Sequence, residues 1–252
     1  MKVVVCVKQI PDPAAPYTLE PDSHWLVRPT EQILDDGDRY GVEMGLQIAQ
    51  ASGGTLTLLS MGPSGNMQGI RQALAMGADK AVLVDDGALR GSDALATARV
   101  LAAAAEREGF DLLLAGTEST DGYSGVVPQM MSQILDVPTL TYATHVEVAD
   151  GSVRIHRQSA DGYDVVEAAL PAVVSVTAGV VEPRYPTFKG IMDAKKKPIE
   201  TLTVADLGVD AAVGQKVMTI EDAPERQGGE IIEDDGEAHM RIIEMLEQVK
   251  VI

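Results

Sequence analysis

Cysteine and aromatic residues are scarce in this chain of 252 residues, and long hydrophobic runs do not occur. The single cysteine, Cys6, excludes an internal disulfide and any metal cage built from cysteines, and the four histidines show no metal-ligand spacing. No stretch reaches the roughly 18 consecutive apolar residues that a membrane-spanning helix needs. Residues 1–10 lack the long apolar core and the cleavage site of a signal peptide, so they predict a buried strand. We therefore expect a cytoplasmic protein without membrane insertion and without a metal site.

Positive charge is also in short supply. Lys and Arg number 20 against 38 Asp and Glu, which gives a formal net charge of -18. A broad basic face for nucleic acid is therefore not expected. Against this background one basic cluster is dense, because Arg184 and Lys189 precede three consecutive lysines, Lys195, Lys196 and Lys197. The cluster fits either a solvated face or a docking element for an acidic partner.

Short apolar runs alternate with amphipathic segments through the first half of the chain. Strands are predicted at residues 3–7, 55–60, 81–84 and 112–115, and helices are predicted to begin near Asp35, Pro63, Asp93 and Ser124. This order predicts an α/β fold with a mostly parallel sheet and helices on both faces. The dipeptides Asp150-Gly151 and Asp161-Gly162 predict β-hairpins, and residues 172–177 predict a further buried strand.

The last third of the chain loses this periodicity. Residues 181–227 are predicted to be extended and rich in loops, and residues 238–249 are predicted to form an amphipathic helix. An arm without a core of its own is costly to order alone. We therefore expect the arm to lie on another chain.

Polar loops follow the predicted strands at the edge where open parallel sheets bind ligands. Four loops qualify, at residues 8–9, 35–38, 61–63 and 116–125. In the last loop, three glycines and several hydroxyl groups lead into a helix, so backbone N–H groups could converge on a phosphate. An ordinary polar connection is an equally good interpretation. The chain has no Walker lysine pattern, no GxGxxG after the first strand, and no nucleophile–base pair that indicates hydrolysis.

The segment 182–197 has the composition of a docking element. Phe188 is one of only two phenylalanines, and it lies near Ile191, Met192 and the lysine cluster. Exposed apolar groups beside lysines are typical of an anchor for another protein. The alternative is that Phe188 packs against the surface of its own domain.

At these segments the chain resembles the β subunit of electron transfer flavoproteins, in a nitrogen-fixation-associated or actinobacterial-like branch. The resemblance covers nearly the whole chain and rests on VKQIPD at residues 7–12, ALAMGAD at 73–79, EPRY at 182–185, AKKKPI at 194–199 and DLGV at 206–209. It implies a fold like that of adenine nucleotide alpha-hydrolases. It also implies a structural AMP, together with an FAD held mainly by an α subunit.

The resemblance assigns two groups of residues. The expected nucleotide-binding positions are Cys6, Asp35, Asp36, Gly37, Asp38, Met61, Gly116, Thr117, Glu118, Ser119, Thr120, Asp121, Gly122, Tyr123, Ser124, Gly125, Val126 and Val127. The expected docking positions are Arg184, Tyr185, Pro186, Phe188, Ile191, Met192, Lys195, Lys196 and Lys197. The family's usual Asn-Pro before the first helix is replaced by Asp35-Asp36, which puts the nucleotide contacts of that loop in question.

The implied function is that of an electron carrier and not of an enzyme. Electrons would pass from flavin dehydrogenases, such as the acyl-CoA dehydrogenases of fatty acid oxidation, to a membrane-bound quinone oxidoreductase. Residues 1–222 would form the nucleotide-binding domain, and residues 223–252 an arm and helix on the α subunit. Two alternatives stay open: a second FAD in place of AMP, as in electron-bifurcating relatives, or a stand-alone nucleotide-binding domain of the universal stress protein type.

Overall fold

The computed structural model describes residues 1–221, 223–224, 228–229, 231–234 and 236–251. Over these residues the chain forms eleven strands and seven α-helices. The strands are β1 Lys2–Cys6, β2 Gln9–Ile10, β3 Ile33–Leu34, β4 Thr55–Met61, β5 Lys80–Val84, β6 Leu112–Gly116, β7 Thr139–Ala149, β8 Ser152–Ser159, β9 Gly162–Ala169, β10 Ala172–Val176 and β11 Ile199–Leu202. The helices are α1 Asp36–Ser52, α2 Gln68–Met76, α3 Ala94–Glu108, α4 Val127–Leu135, α5 Phe188–Ala194, α6 Val204–Leu207 and α7 Ala238–Gln248.

Nine strands form one sheet in the order β11-β5-β4-β1-β6-β10-β7-β8-β9. Every neighbouring pair from β11 to β7 is parallel, and β7, β8 and β9 are antiparallel. A turn at the predicted Asp150-Gly151 joins β7 to β8, and a turn at Ala160-Asp161, one residue before the predicted position, joins β8 to β9. The predicted α/β class, the parallel sheet and the hairpins are therefore confirmed.

Alternation along the central strands divides the core between the two faces of the sheet. Val3 and Val5 of β1 belong to one apolar cluster, which also contains buried residues of α1 and α2. Val4, between them, belongs to a second cluster, which contains buried residues of α3 and α4. Successive side chains of a strand point to opposite faces, so an uninterrupted valine run supplies both cores.

The prediction that residues 181–227 are extended and loop-rich is wrong for their first half. That stretch contains α5, β11 and α6, and β11 pairs in parallel with β5 at the edge of the sheet. These elements are short, and Ala194 is the only buried residue of α5. Their order depends on contacts with β5 and α2, which no local hydrophobic period records. The end of the predicted stretch, Gln227, lies outside the described residues.

Contacts divide the chain into two compact units, Met1–Val217 and Met218–Ile252. The predicted domain boundary at residue 222 lies outside the described residues. The second unit contains α7, which is amphipathic as predicted and has no buried residue. In the part of the chain that the structure describes, no helix has the length and apolarity needed to cross a bilayer.

Candidate functional site

A crevice is expected where strand order reverses, and here that point lies between β1 and β6. β1 pairs with β4 on one side and with β6 on the other. The chain after β1 reaches β4 and β5 in turn, and then crosses back to β6. Connections that leave in opposite directions open a space at the carboxyl ends of the two strands. We call this space the switch-point crevice, and residues 117–126 the β6 loop.

Asp35 ties the β6 loop to the start of α1. Its carboxylate is fully buried and caps α1 by accepting a hydrogen bond from the N–H of Gly37 at 3.1 Å. The other oxygen accepts from the backbone N–H of Thr120 at 2.7 Å and from the Thr120 hydroxyl at 3.1 Å. Both oxygens are therefore engaged, and Asp35 fixes the position of the loop.

Asp121 carries the strongest electrostatic contacts of the crevice. Its side chain is fully buried, and its two oxygens lie 2.6 Å from Lys8 Nζ and 2.6 Å from Arg28 Nη2. Burial acts to raise the pKa of Asp121, but the two cations outweigh it and lower the pKa below its usual value. Lys8 Nζ also donates to the Ser119 hydroxyl at 3.2 Å. The β6 loop is thereby connected to the chain that leaves β1.

Asp38 and Cys6 lie at the start of α1 and the end of β1, within electrostatic reach of each other. Asp38 accepts a hydrogen bond from the backbone N–H of Lys8 at 2.6 Å. Burial, with the nearby charge of Asp35, raises the pKa of Asp38 well above its usual value, which favours the protonated form. Burial and Asp38 also raise the pKa of Cys6 to about 12, so its thiol stays protonated near neutral pH. This protonation state argues against a nucleophilic Cys6.

The end of the β6 loop presents backbone donors. Tyr123 and Gly125 adopt positive φ values of 47° and 64°, and the Tyr123 side chain is 69% exposed. Among the described residues no acceptor is found for the N–H groups of Ser124, Gly125 and Val126. They precede α4, which begins at Val127 and has no side-chain cap. Free N–H groups at a helix start are suited to an anion.

The remaining predicted pocket positions differ in their surroundings. Asp36 is exposed and pairs with Arg39 at 3.2 Å. Thr117 donates its hydroxyl to the carbonyl of Val176 at 3.1 Å, which ties the loop to β10. Met61 is half-buried against the core on the α3 side, as is Val127. The helix predicted to begin near Ser124 begins three residues later, because Gly125 is left-handed.

The predicted docking positions divide into outward and inward side chains. Tyr185 and Phe188 are 84% and 82% exposed, and Ile191 and Met192 are also exposed on α5. Lys195 and Lys196 are exposed as well.

Two side chains of the docking group turn inward. The Lys197 ammonium donates to the carbonyl of Leu74 at 3.0 Å, near the end of α2, and burial lowers the pKa of Lys197. Arg184 pairs with the buried Glu43 of α1 at 2.7 Å.

Comparison with known proteins identifies the family. The electron transfer flavoprotein domain matches residues 24–207. The chain is 39% identical to the electron transfer flavoprotein subunit beta of Mycobacterium leprae, over 99% of each chain. It is 35% identical to the subunit beta of Megasphaera elsdenii over the full length of both. The chain belongs to the β-subunit family of electron transfer flavoproteins. The CarD subunit of the caffeyl-CoA reductase-Etf complex of Acetobacterium woodii is 34% identical over 92% of each chain.

Membership of the electron transfer flavoprotein family decides between the functional classes left open by the sequence. The chain is the small subunit of an electron carrier and not an enzyme, so a stand-alone stress-protein domain is set aside. The family implies association with a flavin and with an α subunit.

Two residues important to the architecture, Arg28 and Glu43, were absent from the predicted site. Lys8, two residues after β1, lies in the loop 8–9 that the sequence analysis named as a candidate, although it was not among the assigned nucleotide-binding positions. Arg28 gave only a weak signal, as an isolated cation in a polar loop. Glu43 gave none, because a single glutamate in an amphipathic helix is usually solvated.

Proposed function

We propose that this chain holds AMP in the switch-point crevice and docks flavin dehydrogenases through the segment 182–197. Together with an α subunit that holds most of the FAD, it would carry electrons from such dehydrogenases, including acyl-CoA dehydrogenases, to a membrane-bound quinone oxidoreductase. The observation that carries the proposal is the β6 loop, where the described residues supply no acceptor for three backbone N–H groups at the start of α4.

The charges around the crevice fit a phosphate. Asp35, Asp38 and Asp121 lie near the proposed phosphate site, and their charges would repel a bound anion if they were ionised and unpaired. Asp121 is neutralised by Lys8 and Arg28, and the oxygens of Asp35 already accept hydrogen bonds. The raised pKa of Asp38 favours its neutral, protonated form. These contacts reduce the negative charge that the free donors of Ser124, Gly125 and Val126 face, and the carboxylate of Glu118, which lies beside Gly125, is the charge that a bound phosphate would still meet.

The roles of the pocket residues follow from these contacts. Ser124, Gly125 and Val126 would bind the phosphate, and Asp35 and Asp121 would hold the β6 loop in place. Cys6, Met61 and Gly116 end three neighbouring strands, where their small or apolar surfaces suit a flat ring. FAD, when bound between the subunits, supplies the redox chemistry, and the protein supplies position and electrostatics.

The docking role depends on exposed apolar side chains. Tyr185 and Phe188 lie almost wholly in solvent, and Ile191 and Met192 continue the same surface along α5. Large exposed apolar groups close together are typical of interaction sites. Lys195 and Lys196 add positive charge, which would steer an acidic partner.

The nucleotide is tested by purifying the heterodimer, denaturing it and counting the nucleotides released. One AMP and one FAD per heterodimer is the expected result. Two FAD and no AMP would support the alternative that the crevice holds a second flavin. Release of FAD alone, with no adenylate from the crevice, would contradict both versions.

The docking segment is tested with Phe188→Asp, which places a charge where an apolar contact is proposed. We expect the rate at which an acyl-CoA dehydrogenase reduces the heterodimer to fall at least tenfold, the order expected for an interface anchor. Bound nucleotide should be unchanged. Leu95→Asp is the matched control, because Leu95 is also exposed but lies at the start of α3. Equal rates for Phe188→Asp and the wild type would refute the docking role.

A further inference from the structure

Glu43 is a buried carboxylate that the nucleotide site does not use. It lies in α1, two turns beyond the crevice, and only 3% of its surface is exposed. Arg184 donates to it from Nε at 2.7 Å, from Nη2 at 2.9 Å and from its backbone N–H at 3.2 Å. The Gln47 amide donates to it at 3.0 Å. Four hydrogen bonds on one buried carboxylate make a rigid two-point attachment for the arginine.

Arg184 stands directly before the exposed docking side chains. Tyr185 is its neighbour in sequence, and Phe188 begins α5 four residues later. The other end of α5 is attached to α2, where Arg71 Nη1 donates to the carbonyl of Ala194 at 3.3 Å. Lys197 attaches the chain that follows to the end of α2. The docking surface is therefore held from α2 on one side and by the Glu43–Arg184 pair on the other.

The same geometry leaves Arg184 little capacity to bind another protein. Its guanidinium already donates two hydrogen bonds to the carboxylate of Glu43, which neutralises its charge. Removing this contact would leave the carboxylate of Glu43 buried without its cationic partner, which is strongly unfavourable. A dehydrogenase would have to break a preformed pair to use Arg184, and it gains nothing that Lys195 or Lys196 does not offer.

We propose that Glu43 and Arg184 are positioning residues for docking: their ion pair holds the chain before α5 so that Tyr185 and Phe188 are presented in a fixed arrangement, and Arg184 does not contact the dehydrogenase. The proposal rests on the docking function proposed above. Its energetic basis is preorganisation, because a segment that is already ordered pays less entropy when it binds.

Two variants separate positioning from direct contact, because the two explanations predict opposite changes in KM for Glu43→Gln. If the pair positions the segment, Glu43→Gln and Arg184→Gln both raise the KM of a medium-chain acyl-CoA dehydrogenase for the heterodimer. We expect a rise of about tenfold, the order expected when the equivalent of about one backbone residue must be ordered on binding. The kcat at saturation stays unchanged. If Arg184 binds the dehydrogenase directly, Arg184→Gln raises KM, but Glu43→Gln frees the arginine and leaves KM equal or lower.

The double variant and the conservative variant sharpen the test. Glu43→Gln together with Arg184→Gln leaves no buried charge, so it guards against failure to fold, and its effect should be close to that of either single variant. Arg184→Lys keeps the positive charge but cannot donate two hydrogen bonds side by side, so it should recover only part of the affinity of the dehydrogenase for the heterodimer. Glu167→Gln, which breaks the exposed pair with Arg154, is the matched control and should leave KM unchanged.

A measurement without any dehydrogenase tests the positioning itself. In the heterodimer, amide hydrogen exchange of residues 185–194 should accelerate in Glu43→Gln and remain at the wild-type rate in Glu167→Gln. Unchanged exchange in Glu43→Gln would overturn the inference. If exchange accelerates while Phe188→Asp has no effect on electron transfer, the positioning stands and the docking function fails. If Phe188→Asp impairs transfer and Glu43→Gln changes neither exchange nor KM, only the inference fails.

Discussion

Replacement of Asp121 by Asn is expected to loosen the whole crevice. The carboxylate accepts two charge-assisted hydrogen bonds, each 2.6 Å long, from Lys8 and Arg28. Buried bonds of this kind contribute about 1.5–3 kcal/mol each. Both cations retain some exposure, 32% and 27% of their side chains, so they can regain water when the charge is removed. After that discount we expect a loss of about 2 kcal/mol in the free energy of unfolding.

The assay is thermal unfolding of the purified heterodimer at fixed protein concentration, followed by circular dichroism. A loss of this size should lower Tm by about 4–8 °C for a chain of this length. Glu167→Gln removes an exposed ion pair of 2.8 Å, and it should shift Tm by no more than about 2 °C. Equal shifts in the two variants would refute the claim that burial gives the Asp121 contacts their strength.

The pH dependence follows from the lowered pKa of Asp121. Its pKa in the folded state lies below the unfolded value of about 3.9, so the contribution is fully present above that value. It is lost as the pH falls through the lower, folded pKa. The difference in stability between the wild type and Asp121→Asn should therefore be constant at neutral pH and should shrink below about pH 4. A difference that grows on acidification would contradict this assignment.

Two further substitutions test close approaches in the fold. Gly190→Ala would place a Cβ 2.5 Å from the carbonyl oxygen of Ala75, so α5 must move away from α2. We expect weaker docking with unchanged nucleotide content. Gly87→Ala is the control and should have no effect, because its Cβ would meet nothing within 4 Å. Gly91 has a φ of 78°, and a Cβ there would lie 2.3 Å from the indole of Trp25. Gly91→Ala should therefore displace the indole and shift its fluorescence emission to the red. A Trp25→Phe heterodimer serves as the blank. Unchanged docking or unchanged emission would contradict the respective packing.

Much of the fold is predictable because the central strands are buried on both faces. Runs such as Val3 to Val7 and Leu112 to Ala115 are continuous and β-branched or aliphatic, and the helices between them end at glycines. β11 escaped prediction because it is a four-residue edge strand with two exposed residues. Its place beside β5 depends on a partner far away in sequence, which a local pattern does not encode.

The candidate site was predictable in outline, but the hydrogen bonds and ion pairs between its residues were not. Strand ends and a glycine-rich loop indicated the residues near the crevice. The sequence could not assign Asp35 to Thr120 or Asp121 to Arg28, since these pairs are 85 and 93 residues apart. Nor did a lysine cluster reveal that Lys197 faces α2 while Lys195 and Lys196 face solvent. Direction of a side chain is decided by packing, which charge patterning leaves open.

The outer edge of the sheet has a consequence for the time before the two subunits meet. β9 ends the strand order, and an edge strand of eight residues is a template for unwanted strand addition by other chains. Asp164 brings a negative charge to this strand, whereas Glu167 is already paired with Arg154 of β8. A second copy approaching edge to edge would meet the same aspartate, which disfavours strand pairing. We therefore expect this charge to reduce edge-to-edge association of newly made protein before it meets its α subunit.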